Sequence, residues 1–265
     1  MKPNAPIIAL QLFSIRQVGS LEEQLSAAAR AGIQAVEVLE EHLAQPLELK
    51  RCLDEHQLIA PSAHISFETI KNGQSRILDA CKSCNITQLF VPSVAGLLQI
   101  DTTNDWQRLG EQMGALADTL DRNGITFGFH NNDVGFSLLG SGRYGFEVLF
   151  NAARGSALKW QADIAWLQRA GMEPVEWMKR YRSVLVSAHV KDLAPTGSNA
   201  DEDGWSDIGS GVLTWPSLWK TALDNGARSL VLEHDNPKEP IEFAKRSFAY
   251  VSRFNTSQPV KPPVR

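Results

Sequence analysis

The chain has 265 residues, a hydrophobic content of 43% and a formal net charge of −4, from 26 basic and 30 acidic side chains. This length suits one barrel-sized domain with a large buried core. Because acidic residues are in slight excess and no basic stripe is present, we expect no nucleic-acid partner. No apolar run approaches the roughly 20 residues of a membrane span, and the polar first residues give no signal sequence, so we also expect no membrane partner.

The chain carries three cysteines, Cys52, Cys81 and Cys84. An odd number in a chain of this length favours reduced thiols and a cytoplasmic location. Cys81 and Cys84 have the spacing of a redox or zinc motif, but they fall in a helical pattern and no second pair accompanies them. We therefore interpret them as packed thiols.

Short apolar runs alternate eight times with amphipathic patterns along the chain. Taken in order, the runs predict strands at 7–12, 33–39, 59–65, 88–91, 125–129, 158–164, 184–190 and 229–233. The intervening patterns predict helices at 21–31, 47–56, 68–84, 105–122, 145–153, 175–182, 216–223 and 240–254. Glycines at 32, 124 and 226 stand where a helix should end, a position that favours positive φ.

This alternation implies a parallel sheet, and eight repeats favour closure into an α/β fold of the (β/α)8 TIM barrel type, with a single domain. The alternative is a doubly wound open sheet. Its glycine-rich turn after the first strand is missing, because no glycine lies between Leu10 and Val18. We expect the barrel to cover residues 1–254 and a C-terminal tail to cover 255–265.

Polar side chains stand where the predicted strands end, which is where barrels of this kind place their active groups. Any one of them could simply be a hydrogen-bonded loop residue. Asp163, His189 and Glu233, however, end three consecutive strands, so their side chains can converge. Two carboxylates and a neutral imidazole suit a divalent metal such as Mn, Mg, Co or Zn.

Six segments carry a resemblance to the sugar phosphate isomerase/epimerase superfamily, the xylose isomerase-like barrels. They are 10–16, 32–37, 129–133, 188–192, 209–215 and 232–235. Members of this superfamily hold a metal with Glu, Asp, His and Glu from strands five to eight. The resemblance therefore implies the metal ligands Asp163, His189 and Glu233, with His130 in place of the strand-five Glu. Relative to one branch, Asn132 replaces a second His and Gly135 replaces a Glu.

The resemblance implies a divalent-metal-assisted isomerase or epimerase of carbohydrate metabolism. It would abstract a proton next to a carbonyl of a small sugar, keto-sugar or cyclitol, while the metal stabilises the enediolate. The candidates for the general base are Glu37, His64, His130 and Lys191. Lys191 could instead stabilise the oxyanion or form a structural ion pair. Four more are candidates for binding substrate: Gln11, Arg16, Trp166 and Trp205.

Two other functions remain open, a lyase that uses the same site and a subunit without catalytic activity. A lyase or dehydratase of a 3-keto-glycoside or related polyol needs the same base and the same electrophile. A non-catalytic barrel subunit is the third possibility, motivated by the missing strand-five Glu. The superfamily's endonuclease IV-like branch is disfavoured because its multi-zinc site needs many more ligands than this chain's six histidines allow. The expected partner is a small-molecule carbohydrate, with a homo-oligomer possible.

Overall fold

Eight parallel strands close into a barrel in a computed structural model that describes residues 5–92, 100 and 102–255. The barrel strands are β1 (Ile7–Gln11), β2 (Ala35–Leu39), β3 (Ile59–His64), β4 (Gln88–Val91), β5 (Thr126–His130), β6 (Lys159–Asp163), β7 (Leu185–Val190) and β10 (Ser229–Leu232). Each pairs with its neighbours in chain order, and β10 pairs with β1. Two short strands, β8 (Asp192–Leu193) and β9 (Trp205–Ser206), form an antiparallel pair in the segment after β7. The predicted TIM barrel is confirmed.

The helices surround the barrel. They are α1 (Leu21–Arg30), α2 (Glu40–Leu43), α3 (Pro46–Glu55), α4 (Phe67–Asn72), α5 (Gln74–Cys84), α6 (Thr103–Asp121), α7 (Gly145–Ala152), α8 (Ile164–Arg169), α9 (Pro174–Arg180), α10 (Trp215–Asp224) and α11 (Pro240–Asn255). Local sequence explains where many begin. Ser20 and Glu23 form a capping box at α1, and prolines stand in the first turn of α3, α9 and α10, where a missing N–H costs nothing.

The prediction of one helix over 68–84 is wrong. The helix is interrupted at Gly73, which is both the C-cap of α4 and the N-cap of α5. Three short helical segments that directly follow strands were also missed: α2, α8 and the 3-10 helix Leu12–Val18. With four, six and seven residues respectively, these segments are too short for a periodic apolar pattern to reveal. Helix α11 ends at Asn255, and the rest of the predicted tail lies outside the described residues.

The three cysteines are buried and free of disulfides, which fits packed thiols. Burial raises the pKa of Cys81 to about 12, so its thiol stays protonated and unreactive. Within the described ranges, we find no helix with the length and apolar character needed to cross a membrane.

Candidate metal centre

The four predicted metal ligands meet at the carboxyl ends of their strands. His130 and Asp163 end β5 and β6, His189 lies next to Asp163 in register on β7, and Glu233 follows β10. One ligand atom from each lies within 4.8 Å of the others, and all four residues are buried. His64, His130 and His189 satisfy the same limit. Because the two sets share two histidines, they form one site.

His189 is held between two carboxylates. Its Nδ1 lies 2.7 Å from Glu233 Oε2, and its Nε2 lies 2.7 Å from Glu37 Oε1. Burial lowers the pKa of His189, but Glu233 and Glu37 outweigh it and raise the pKa to about 10. Glu37 is fully buried, and although burial raises its pKa, the imidazoles of His64 and His189 bring it well below the usual range. The carboxylate of Glu37 would hold Nε2–H of His189, which leaves Nδ1 as the nitrogen for a metal once that nitrogen has lost its proton.

Gln161 determines which ring nitrogen carries the hydrogen in two other imidazoles, those of His64 and His130. Its Nε2 donates to Glu37 Oε2 (2.8 Å) and Ser187 Oγ (3.1 Å), so its Oε1 must be the acceptor on the other side. Oε1 then accepts from His64 Nε2 (2.8 Å) and His130 Nδ1 (3.0 Å). Both rings therefore carry their proton on the nitrogen facing Gln161.

The remaining nitrogen of His130, Nε2, consequently presents a lone pair 3.7 Å from Asp163 Oδ2. Burial, with help from His189 and His64, holds the pKa of His130 well below its ordinary value, so the ring is neutral. Gln161 was missed from sequence, although it lies two residues before Asp163 and so faces the same side of the strand.

Lys191 points its ammonium into the same cluster. Nζ lies 2.7 Å from Asp235 Oδ1, 2.9 Å from Glu233 Oε2 and 3.1 Å from Asp163 Oδ2, and the residue is 1% exposed. Burial lowers the pKa of Lys191, but the three carboxylates raise it above its ordinary value, so it stays charged. Of the roles that the sequence left open for Lys191, the structure contains the ion pair, made with Asp163, Glu233 and Asp235.

Asp163 and Glu233 respond to these surroundings in opposite directions. Burial raises the pKa of Asp163, with Lys191 only partly offsetting it. Burial also raises that of Glu233, but Lys191 and His189 bring it well below the usual range. Asp163 Oδ1 accepts from Trp166 N (2.9 Å) and so caps α8, whereas its buried Oδ2 has no hydrogen-bond partner. A buried carboxylate oxygen that lacks a hydrogen bond and lies beside an imidazole lone pair is suited to a cation, and in this structure the ammonium of Lys191 lies 3.1 Å away.

The predicted substrate-binding residues are dispersed. Gln11 is fully buried and donates to Glu37 Oε1 (2.8 Å), beneath the cluster, while Arg16 packs its guanidinium 3.7 Å from the centroid of the Phe13 ring. Trp166 and Trp205 do reach the cluster, with centroids 5.7 and 4.9 Å from Lys191 Nζ. Trp205 is only 1% exposed, so its ring is a wall of the site and not an open platform.

A further residue, Asp192, organises the segment that carries Trp205. Its carboxylate accepts four backbone N–H groups, from Leu193 (2.9 Å), Gly209 (2.9 Å), Leu213 (3.1 Å) and Gly211 (3.3 Å). Both ends of the loop after β7 are thereby tied to one side chain. Its signal in the sequence was its place beside Lys191, but three of its four partners lie 17 to 21 residues further along the chain.

The fold and this site define a class of protein: a (β/α)8 barrel with a buried carboxylate–imidazole cluster at its strand ends. The profile described as "Xylose isomerase-like TIM barrel" matches residues 25–253, and the chain belongs to that family. No curated protein matches the sequence.

Several solved structures share the fold. A sugar phosphate isomerase/epimerase from Parabacteroides distasonis has a TM-score of 0.77 at 20% identity, covering 98% of each chain. A probable 3-DHS dehydratase from Bacillus anthracis has a TM-score of 0.72 at 13% identity, covering 92% of this chain and 98% of its own. A xylose isomerase-like TIM barrel protein from Mycobacterium smegmatis, in complex with magnesium, has a TM-score of 0.69 at 15% identity, covering 96% and 97%. At these identities the likeness establishes the fold.

Proposed function

We propose that this protein is a divalent-metal-assisted isomerase or epimerase of a small sugar, keto-sugar or cyclitol. The observation that carries the proposal is the convergence of His130, Asp163, His189 and Glu233, with ligand atoms within 4.8 Å of one another. A bound divalent ion would polarise adjacent hydroxyl and carbonyl oxygens of the substrate. The magnesium complex of the M. smegmatis barrel supports such an ion in this fold.

The general base in this proposal is His64. Its Nε2–H faces Gln161 Oε1, so in the neutral ring the other nitrogen, Nδ1, carries the lone pair that can take a proton. Glu37 is the weaker candidate because it is fully buried and its oxygens already accept from Gln11, Gln161 and His189. Its role is to orient His189.

Lys191 serves as a charge-stabilising group and not as a base. Its ammonium is paired with carboxylates and stays protonated, so it has no lone pair for a carbon acid. A cation close to the reacting atoms stabilises the negative charge that develops on an enediolate oxygen.

We propose that the substrate is uncharged. The loop over residues 193–214 contains Asp201, Glu202, Asp203 and Asp207 but no Lys or Arg. Arg169, from the neighbouring helix α8, lies over the Trp205 ring (3.8 Å to the centroid) and donates to Asp203 O. Phosphate recognition needs cations or a helix N-terminus directed at the ligand. The loop itself therefore supplies no cation for a phosphate, which favours a neutral polyol.

The proposal is tested by hydrogen exchange. The protein, loaded in turn with Mn²⁺, Co²⁺ or Mg²⁺, is incubated in D2O with a panel of ketoses, keto-glycosides and cyclitol ketones. We expect deuterium at the carbon next to the carbonyl, together with an epimer or isomer, by NMR. No exchange with any metal and any substrate of the panel would contradict the proposal.

A lyase or dehydratase is the second candidate, supported by the dehydratase of B. anthracis with the same fold. The same base would remove the proton, and a leaving group would then depart from the neighbouring carbon. Release of an aglycone or water from a keto-glycoside, without an epimer, would favour this reaction over isomerisation.

A further inference from the structure

The ammonium of Lys191 and a divalent ion would use the same oxygen atoms. Lys191 Nζ lies 3.1 Å from Asp163 Oδ2 and 2.9 Å from Glu233 Oε2. These atoms face the ring nitrogens of His130 and His189, which are the other members of the four-residue cluster. An ion coordinated at about 2.1 Å by either oxygen would lie within about 5 Å of Nζ. Two cations this close in a buried site repel each other strongly.

The three contacts of Lys191 are unequal. Only the contact with Asp235 Oδ1, at 2.7 Å, has hydrogen-bond geometry. Asp163 Oδ2 remains without a hydrogen bond despite the nearby ammonium. Asp235 is also the outermost partner, since its side chain is 24% exposed whereas those of Asp163 and Glu233 are 0% and 7% exposed. The ammonium can therefore keep Asp235 while it gives up the two inner carboxylates.

The surroundings limit where else the ammonium could go. The rings of Trp205 and Trp166 lie 4.9 and 5.7 Å from Nζ, and a cation over an aromatic face is stabilised there. Trp205 is held by the loop that Asp192 ties down, so this wall is fixed. Asp235 and the indoles together form a retained pocket for the ammonium.

We propose that Lys191 is a built-in competitor of the metal: its ammonium neutralises Asp163 and Glu233 in the metal-free protein and withdraws onto Asp235 when a divalent ion binds. The inference rests on the metal site of the proposed function. It makes Lys191 and Asp235 a pair that sets metal affinity, although neither is a metal ligand.

The test is a double-mutant cycle read out by Mn²⁺ binding, using isothermal titration calorimetry, with no substrate present. Lys191→Met removes the competing charge and keeps a similar chain length. We expect it to bind Mn²⁺ about tenfold or more tightly than the unaltered protein, the scale of a close charge pair. Asp235→Asn removes the resting place of the ammonium and should weaken Mn²⁺ binding about tenfold.

The double variant distinguishes competition from simple charge effects. If Asp235 acts through Lys191, Asp235→Asn should change Mn²⁺ affinity by less than about twofold in the Lys191→Met background. If Asp235 acts only by its own negative charge, the weakening should persist there, and the inference is overturned. Arg169→Met is the matched control, because it removes a cation near Trp205 that contacts none of the cluster carboxylates. It should leave Mn²⁺ affinity within about threefold.

Lys191→Met removes the ion-pair partner of three carboxylates, so circular dichroism checks that each variant is folded. Crystal structures of the unaltered protein with and without Mn²⁺ give an independent measurement. We expect Nζ to stay within hydrogen-bond distance of Asp235 and to leave Asp163 when the ion is present. An ammonium that keeps both inner contacts beside a bound ion would overturn the inference.

The two proposals fail separately. Equal Mn²⁺ affinities for the unaltered protein and Lys191→Met would refute competition and leave the metal site standing. Mn²⁺ binding by Lys191→Met but not by the unaltered protein would support competition and contradict a metal-assisted reaction. Absence of binding by every folded variant would overturn the metal site and this inference together.

Discussion

Glu37→Gln probes the buried carboxylate that orients His189. Glu37 Oε1 accepts from His189 Nε2 (2.7 Å) and Gln11 Nε2 (2.8 Å), and Oε2 accepts from Gln161 Nε2 (2.8 Å). An amide has one acceptor oxygen and one donor nitrogen. In either orientation, its NH2 group would face an N–H donor in a fully buried position.

The magnitude follows from these contacts. Replacing a charged acceptor by a neutral one weakens the hydrogen bond to His189 by about 1 kcal/mol, and a buried donor facing another donor costs a further 1–3 kcal/mol or so. We expect the free energy of unfolding to fall by about 2–4 kcal/mol. For a chain of this size the melting temperature should fall by roughly 5–15 °C. Metal affinity should fall about 10–100-fold, because His189 loses its orienting carboxylate.

Urea denaturation with chelator present measures the stability, and Mn²⁺ titration calorimetry measures the affinity. Glu41→Gln is the control, since Glu41 is an exposed carboxylate just outside β2. It should change the unfolding free energy by less than about 0.5 kcal/mol. If Glu37→Gln matches this control in both stability and affinity, the orienting role of Glu37 is refuted.

Three further changes are predicted together. His130→Glu should raise affinity for Mg²⁺ relative to Zn²⁺ about tenfold by competition titration, because carboxylates favour hard ions; an unchanged ratio would remove His130 from the ligand set. Asp192→Asn should lower the free energy of unfolding by about 2–3 kcal/mol and speed proteolysis within 193–214, since one amide oxygen cannot accept four N–H groups. A loop as resistant to protease as in the unaltered protein would contradict the role of Asp192 in holding it. Gly209→Ala should lower the free energy of unfolding in urea by about 1–3 kcal/mol more than Gly197→Ala does. Both glycines have positive φ, but only the Cβ added at position 209 would clash with a neighbour, the Tyr250 ring at 2.6 Å; equal losses would contradict this packing.

The barrel was predictable because strand and helix periodicities alternate eight times, and Asp163, His189 and Glu233 could be placed together because parallel strands end at one face. The role of Gln161 was not predictable. It depends on Glu37 and His64, which barrel closure brings across from β2 and β3.

Other assignments depended on contacts that spacing does not encode. Arg16 follows β1 as expected for a mouth residue, but its guanidinium packs on Phe13, three residues earlier. From the sequence, Lys191 could have been a general base, an oxyanion stabiliser or one member of a structural ion pair. Its ion pairs depend on the fold, which brings Asp235 and Asp163 within 2.7 and 3.1 Å of its Nζ.

The most direct test of the metal centre is a count of ions bound per chain. The protein is purified without chelator, equilibrated with Mn²⁺ and analysed by mass spectrometry for metals, beside Asp163→Asn and Glu233→Gln. We predict about one ion per chain for the unaltered protein, and under about 0.1 for each variant while circular dichroism shows an intact fold. Under about 0.1 ion in the unaltered protein, or equal occupancy in all three, would contradict a metal centre built on these strand ends.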